Sequence, residues 1–200
     1  MSRIADYLSQ CQIPTCRLGE SETKTTTPPS DEEVRELIAY LRKFGVNPVI
    51  VGSVGIFHHL TLAAHKFRPT VDLDVFTHRK VPAPPPGWTK IKDSIGVESW
   101  RSPSGGVVDF LEKGHEFPGG SKNPSKVEID PKSPTDYPVA AVVELFKLKL
   151  NSMRSKDMTD AVALAKAVGG VPGDAAFGKL NRTQRENLNM LRIWADHFDE

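Results

Sequence analysis

Residues 49–77 read VIVGSVGIFHHLTLAAHKFRPTVDLDVFT. The apolar run that stops at Gly52-Ser53 predicts a buried strand followed by a helix. Further along, the sequence VDLDV alternates with a period of two, so Asp72 and Asp74 leave the same face of a second strand. Two carboxylates on one strand face repel each other unless a cation lies between them. Asp72 and Asp74 are therefore the first candidates for a functional site.

The composition indicates a soluble globular protein. The chain has 200 residues, enough for one domain or for one domain with a small appendage. No stretch approaches the roughly 18 apolar residues of a membrane span, and the first residues lack the apolar core of a signal peptide. We therefore expect a cytoplasmic protein with no membrane partner, in which Cys11 and Cys16 are reduced thiols rather than a zinc site. The formal net charge of +1 indicates no overall attraction to nucleic acid.

The first part of the chain predicts two helices and a linker. Residues 1–18 can form a short amphipathic helix, and the polar segment 19–30 reads as a linker. Ser30 and Glu33 form a capping box that starts the next helix. After the strand at 49–51, helical spacing extends over 54–66.

Three histidines lie in or near this last predicted helix. Residues 58, 59 and 65 are histidines, but their spacing does not place all three on one helix face. We predict that they are solvated or capping residues rather than metal ligands.

The middle of the chain predicts further strands and two loops. Residues 79–90 are proline-rich and exclude a helix or a central strand, with Trp88 folding back on the body. A strand around Trp100, a turn at 105–106 and a strand over 107–111 follow. Asp109 lies among apolar residues in the second of these strands, and a buried carboxylate is costly unless it is paired or bound to metal. Asp109 is therefore the candidate third carboxylate. The segment 113–137 that follows is predicted to be a long loop.

The last part of the chain predicts three helices. The first begins at Pro138, and Lys147 and Arg154 are seven apart and therefore on one face. The second runs from Ser155 to Lys166, with Asp157 and Asp160 on one side, and ends at a glycine pair. The third covers about 180–198, with four predicted packing residues: Leu188, Leu191, Ile193 and Trp194.

These residue types suit phosphoryl or nucleotidyl transfer. Small residues where a strand meets a helix let backbone N–H groups approach phosphates. Two or three carboxylates hold Mg²⁺, and cationic side chains on a facing helix hold a triphosphate. Purely structural explanations of these residues stay open at this point. Asp72 and Asp74 can be a solvent-facing pair, Asp157 a helix N-terminal charge, and Arg154 and Lys156 part of a solvated turn.

The motifs occur in an order that resembles a known superfamily. They are Gly52-Ser53, Arg68-x-Thr70-x-Asp72-Leu73-Asp74-Val75-Phe76 and Lys147-x6-Arg154-x-Lys156-Asp157-x2-Asp160. This set resembles the nucleotidyltransferases related to DNA polymerase beta, and most closely the AbiEii/AbiGii toxin-like branch. The resemblance implies an α+β fold, a small mixed β-sheet flanked by helices, followed by a C-terminal helical part. The implied divisions are an extension and linker (1–30), an α/β core (31–137) and a helical part that completes the site (138–200).

The resemblance also implies roles for individual residues. Asp72 and Asp74 would bind Mg²⁺ or Mn²⁺, with Asp109 in the place of a third metal ligand. Asp72, Asp74, Lys147 and Asp157 would be the catalytic set. The NTP would be bound by Gly52, Ser53, Arg68, Lys147, Arg154 and Lys156, although Arg68 can equally pair with a strand carboxylate. Lys149 matches nothing in the pattern.

The implied activity is transfer of a nucleoside monophosphate from an NTP to an acceptor hydroxyl. The acceptor would be a tRNA 3′ end or a protein, and the enzyme a toxin of a toxin–antitoxin or phage-defence system, with a cognate antitoxin as a partner. Two alternatives remain open, namely a small-molecule, antibiotic-type nucleotidyltransferase and an inactive nucleotide-binding module.

Overall fold

The computed structural model describes residues 3–11, 27–60, 70–91, 97–116, 122–152 and 154–197. In this part of the chain one five-stranded sheet has helices around it, and the helices continue to the C-terminal end. The strands are β1 (Val49–Ile50), β2 (Asp72–Thr77), β3 (Thr89–Ile91), β4 (Glu98–Arg101) and β5 (Val107–Glu112). The helices are α1 (Arg3–Cys11), α2 (Asp31–Lys43), α3 (Gly52–His59), α4 (Val142–Leu150), α5 (Ser155–Val168), α6 (Asp174–Phe177) and α7 (Arg182–His197). The expected α+β fold with a mixed sheet is confirmed.

The sheet has the order β1-β2-β5-β4-β3. Strand β2 pairs in parallel with β5, and the other three pairings are antiparallel. The parallel register sets Asp74 opposite Asp109. Because neighbouring residues across a sheet point to the same face, these two side chains share a face.

Apolar side chains on both sides of the sheet form two clusters. Leu73 and Val75 of β2 belong to the cluster that α1 and α2 complete. Phe76 belongs to the other, which includes residues of α4, α5 and α7. Helix α1 is amphipathic as expected, and its buried residues are Ile4, Tyr7, Leu8 and Cys11. Strand β2 is therefore held between two cores while its aspartates emerge at one end.

Several local predictions are confirmed. The Ser30 backbone N–H donates to Glu33 Oε2 at 2.9 Å, and the Glu33 N–H donates back to Ser30 Oγ at 3.4 Å, which completes the capping box. Trp88 is buried against the body. Gly169 ends α5 in the left-handed conformation.

Two helices have boundaries that differ from the prediction. Helix α3 begins at Gly52 and ends at His59, because Leu60 already has an extended backbone. Helix α4 begins at Val142 rather than Pro138, because the preceding residues extend the sheet. The Ile50 N–H donates to the Pro138 carbonyl at 2.7 Å, and the Ala140 N–H donates to the Ile50 carbonyl at 3.0 Å. Strand β1 thus finds partners for backbone groups that would otherwise be unpaired.

Two side-chain placements near the C-terminal end also differ from the prediction. Helix α4 ends at Leu150 and Arg154 is the N-cap residue of α5, so Lys147 and Arg154 do not share a helix. Ile193 and Trp194 are exposed, since the buried stripe of α7 runs through Leu188 and Leu191 instead. None of the helices in the described ranges has the length and apolar character to cross a membrane.

We expect Leu73→Ala to destabilise the fold by about 2–5 kcal/mol, because it empties a fully buried position in the central strand. Val71→Ala is the matched control: it is 53% exposed two residues earlier and should change the free energy of unfolding by less than about 0.5 kcal/mol. Urea unfolding followed by circular dichroism measures both. Equal effects of the two substitutions would contradict the placement of β2.

Candidate functional site

Three carboxylates meet where β2 and β5 lie side by side. Asp72 and Asp74 alternate along β2, and Asp109 lies opposite Asp74 on β5. Hydroxyl groups orient two of them: Thr70 Oγ1 donates to Asp72 Oδ1 at 3.1 Å, and Ser99 Oγ donates to Asp109 Oδ1 at 2.7 Å. The structure therefore brings together the three predicted metal ligands.

Gly52 lies directly against the Asp74 carboxylate. The Val51 N–H donates to the Asp74 carbonyl at 3.0 Å, and the next residue, Gly52, has a φ of +60°. A Cβ atom at position 52 would lie 2.7 Å from Asp74 Cγ and nearer still to Oδ2, so only glycine fits there. The first N–H groups of α3, which have no acceptor within the helix, consequently begin beside the carboxylates. Such a helix start is suited to a phosphate.

The charge of Asp74 is unfavourable in this setting. Burial and the negative charges of Asp72 and Asp109 raise its pKa, Lys149 and Lys156 act in the opposite direction, and together they set the pKa of Asp74 at about 7. Because like charges gather here in a partly dehydrated position, a divalent cation would stabilise the ionised group. An all-oxygen donor set is the kind that Mg²⁺ and Mn²⁺ prefer. The residues present therefore fit the metal that the sequence implied.

Lys149 joins α4 to α5 beside this group. Its Nζ donates to Asp157 Oδ1 at 2.9 Å and to Asp160 Oδ2 at 2.8 Å. Burial opposes the charge of Lys149, but the two aspartates raise its pKa above the usual value. Ser53 Oγ in turn donates to Asp160 Oδ2 at 3.2 Å. The start of α3 is thereby connected to α5 through one carboxylate.

Asp157 is a buried hub rather than an exposed helix charge. It is 2% exposed, and it accepts from Ser152 Oγ and from Arg154 Nε, each at 2.7 Å. Burial alone would raise the pKa of Asp157, but the bond from Arg154 and the charge of Lys149 hold it far below its usual value. Removing Asp157 would therefore release Arg154 and leave Lys149 paired with Asp160 alone.

Arg154 faces the strand carboxylates. The hydrogen bond to Asp157 and the charges of Asp74 and Asp72 raise its pKa. Its side chain is 63% exposed, so Asp157 fixes the Nε edge while the guanidinium stays accessible to a ligand. Lys156, also exposed, acts on Asp74 from the same side. These cations form the wall opposite the carboxylates.

Most of the predicted site residues are close together, but Lys147 is not among them. Lys147 Nζ pairs with Glu144 Oε1 at 2.9 Å. It is two positions from Lys149, which on a helix turns it by about 200° away from that residue. Arg68 lies outside the described residues.

Lys149 is the residue that the sequence motif did not assign. One signal for it was available: it follows Phe146 by three positions and Val142 by seven, so it lies on the apolar stripe of α4. A lysine on a buried stripe needs a carboxylate partner. Helix α5 supplies two.

A second cluster differs from what we predicted for the histidines. His58 and His59 are not solvated: their side chains are 14% and 9% exposed, and both are directed at Asp130. His65 lies outside the described part of the chain.

Comparison with known proteins gives one finding about the fold. No protein-family model and no curated protein matches this sequence. Among solved structures, the chain is similar to an antigenic nucleotidyltransferase-like protein from Paracoccidioides brasiliensis, with a TM-score of 0.49 and 15% sequence identity. The match covers 85% of this chain and 92% of that chain.

We expect Asp74→Asn to stabilise the protein at pH 8 in metal-free buffer. A carboxyl pKa of about 7 in the fold, against about 3.9 when unfolded, means that the native state binds the proton more tightly. Stability is therefore lost as pH rises from about 4 to about 7, and the loss is complete above that. At about 1.4 kcal/mol per pKa unit, the variant avoids a penalty of up to about 4 kcal/mol at pH 8.

The gain should disappear near pH 4, where Asp74 is protonated in both states. Chemical unfolding at the two pH values, in EDTA, measures the difference. Asp196→Asn, an exposed acid on α7, is the control and should show no such pH-dependent gain. A variant that is less stable than the native protein at pH 8 would contradict the charge analysis.

Proposed function

We propose that this protein is a metal-dependent nucleotidyltransferase that transfers a nucleoside monophosphate from an NTP to an acceptor hydroxyl and releases pyrophosphate. The observation that carries the proposal is the contact of the Asp74 carboxylate with Gly52 at the start of α3. That contact joins a metal-type carboxylate group to a phosphate-type helix start. Either feature alone would suit many functions, but side by side they suit a metal-bound triphosphate.

Each wall of the site has a proposed role. Asp72, Asp74 and Asp109 would hold Mg²⁺ or Mn²⁺, which when bound neutralises charge on phosphate oxygens. The N–H groups at Gly52 and Ser53 would orient the phosphates. Asp109, which accepts a hydrogen bond from Ser99 on the strand next to Asp74, would also take the proton of the acceptor hydroxyl.

The cationic wall would hold the triphosphate. Arg154 offers a planar fork that suits phosphate oxygens, and Lys156 adds a point charge. Asp157 does not face the substrate in this proposal; it positions Arg154 and Lys149. Arg68, the remaining nucleotide-binding residue implied by the resemblance, stays a proposal on the sequence motif alone.

The lysine of α4 in this site is proposed to be Lys149 rather than Lys147. An ammonium group has three donors, and two of those on Lys149 are directed at Asp157 and Asp160. The third remains for a phosphate oxygen. Lys147, paired with Glu144 and turned away, has no comparable access.

The acceptor is proposed to be a tRNA 3′ end or a protein side chain, with the enzyme acting as a toxin that a cognate antitoxin restrains. What supports this is the order of motifs shared with the AbiEii/AbiGii toxin-like branch. The cationic residues at 149, 154 and 156 are also compatible with a phosphate-rich acceptor. A small-molecule acceptor is the alternative that the assay must distinguish.

Separate incubations of the protein with Mg²⁺, each α-labelled NTP and one candidate acceptor (total tRNA, cell protein or an aminoglycoside-type compound) test the activity. We expect label on RNA or on protein, and a loss of at least about 100-fold in Asp72→Asn because metal binding fails. Asp196→Asn should retain the rate. Labelling of an aminoglycoside-type compound alone would favour the small-molecule alternative. No transfer of a nucleoside monophosphate from any NTP, with no effect of Asp72→Asn on NTP binding, would refute the enzyme proposal.

Lys149→Met and Lys147→Met form a matched pair on one helix. We expect the first to lower the transfer rate by about 10- to 100-fold and to destabilise the fold, because Asp157 and Asp160 lose their shared cation. The second should have a smaller effect on both. Single-turnover rates together with urea unfolding separate loss of activity from loss of fold. The reverse order of effects would assign the role to Lys147.

A further inference from the structure

The opposite end of helix α3 carries a second group of potential metal ligands. His58 and His59 occupy the last turn of α3, and Asp130 comes from the irregular segment that follows β5. His58 Nε2 lies 3.4 Å from Asp130 Oδ2, and His59 Nδ1 lies 3.7 Å from the same oxygen. The three ligand atoms all lie within 4.8 Å of one another. Two imidazoles and a carboxylate therefore converge on one point.

Backbone groups fix which atom of His59 and of Asp130 faces that point. His59 Nε2 lies 2.9 Å from the Ala140 carbonyl, which can only accept, so Nε2 carries the proton. In the neutral ring the lone pair is then on Nδ1, the nitrogen directed at Asp130. The second oxygen of Asp130, Oδ1, accepts the Lys132 N–H at 2.9 Å, which leaves Oδ2 for the histidines. Metal-binding histidines commonly donate their other ring N–H in this way.

The carboxylate is also held by its own main chain. The Asp130 N–H donates to the Val139 carbonyl at 2.8 Å, and the Asp130 carbonyl accepts from the Ser133 N–H at 2.9 Å. All three ligand side chains are mostly buried, with exposures of 14%, 9% and 15%. A ligand set on a fixed backbone loses little freedom when an ion binds.

The distances suit a metal better than an ion pair. Zinc bonds of about 2.0–2.2 Å in a tetrahedron separate neighbouring ligand atoms by about 3.3–3.6 Å. The observed 3.4 and 3.7 Å are near this range. Charge-assisted hydrogen bonds are shorter, at about 2.7–2.9 Å. Pairing both histidines with one oxygen would also bring together two cations whose ring centres are 4.9 Å apart.

We propose that His58, His59 and Asp130 bind a divalent transition metal, for which Zn²⁺ is the best match by ligand type and spacing. Water completes the coordination at the partly open side. The ion fastens the end of α3 to the segment that carries Asp130 and Ala140. The site is separate from the carboxylate group at Gly52, since the length of α3 lies between them, and it does not depend on the proposed activity.

The test is titration of the EDTA-treated, dialysed protein with Zn²⁺ by calorimetry, in excess Mg²⁺ so that the strand carboxylates are occupied. We expect one equivalent of Zn²⁺ to bind and the melting temperature to rise. His59→Gln and Asp130→Asn should each weaken binding by at least about tenfold. Co²⁺ should give the visible absorption of a four-coordinate site.

His197→Gln, at an exposed position near the end of α7, is the matched control and should bind as the native protein does. Imidazole ¹⁵N spectra of the unmodified protein provide a readout that needs no variant: Zn²⁺ should shift the His58 and His59 nitrogens and leave His197 unchanged. Absence of those shifts, or Zn²⁺ affinity that is the same in His59→Gln and the native protein, would overturn the proposal.

Discussion

The contact between Gly52 and the Asp74 carboxylate is the constraint on which the site depends. The chain leaves β1 next to β2, and α3 must start within contact distance of an aspartate that β2 presents. A glycine with positive φ permits that approach without a clash. As a result, a helix start and a group of three carboxylates share one small volume. Any other residue at position 52 would separate them.

A network of ion pairs holds the second wall in place. Lys149 reaches from α4 to two aspartates of α5, and one of these, Asp160, accepts a hydrogen bond from Ser53 of α3. Breaking one member of a buried pair is costly because the other charge remains without compensation. The three helices are therefore positioned relative to one another by polar contacts, in addition to the apolar cluster beneath them.

The sequence predicted the fold class and the carboxylates because those signals are local. The alternation around Asp72 and Asp74 and the capping box at Ser30 each depend on neighbours within a few positions. The pairing of Asp74 with Asp109 depends on strand order, which no local pattern specifies. The superfamily motif assigns its helix lysine by residue spacing, and this spacing selects Lys147. The position of Lys149 on the buried stripe of α4 is a separate signal that the motif does not contain. The convergence of His58 and His59 on Asp130 joins segments far apart in the chain, so the sequence carried no pattern for it.

The parallel pairing of β2 with β5 also bears on how the protein folds. The whole β3–β4 meander separates the two strands in sequence, so their association closes a long loop. Closing that loop costs conformational entropy of the chain. The same step brings Asp109 next to Asp74, and the repulsion between them arises just when the loop closes. The antiparallel pairs of β3, β4 and β5 join strands that are close in sequence, and their registers place no two like charges opposite each other. Chain entropy and electrostatic repulsion thus oppose the same pairing, and the burial of Leu73 and Val75 of β2 must outweigh both.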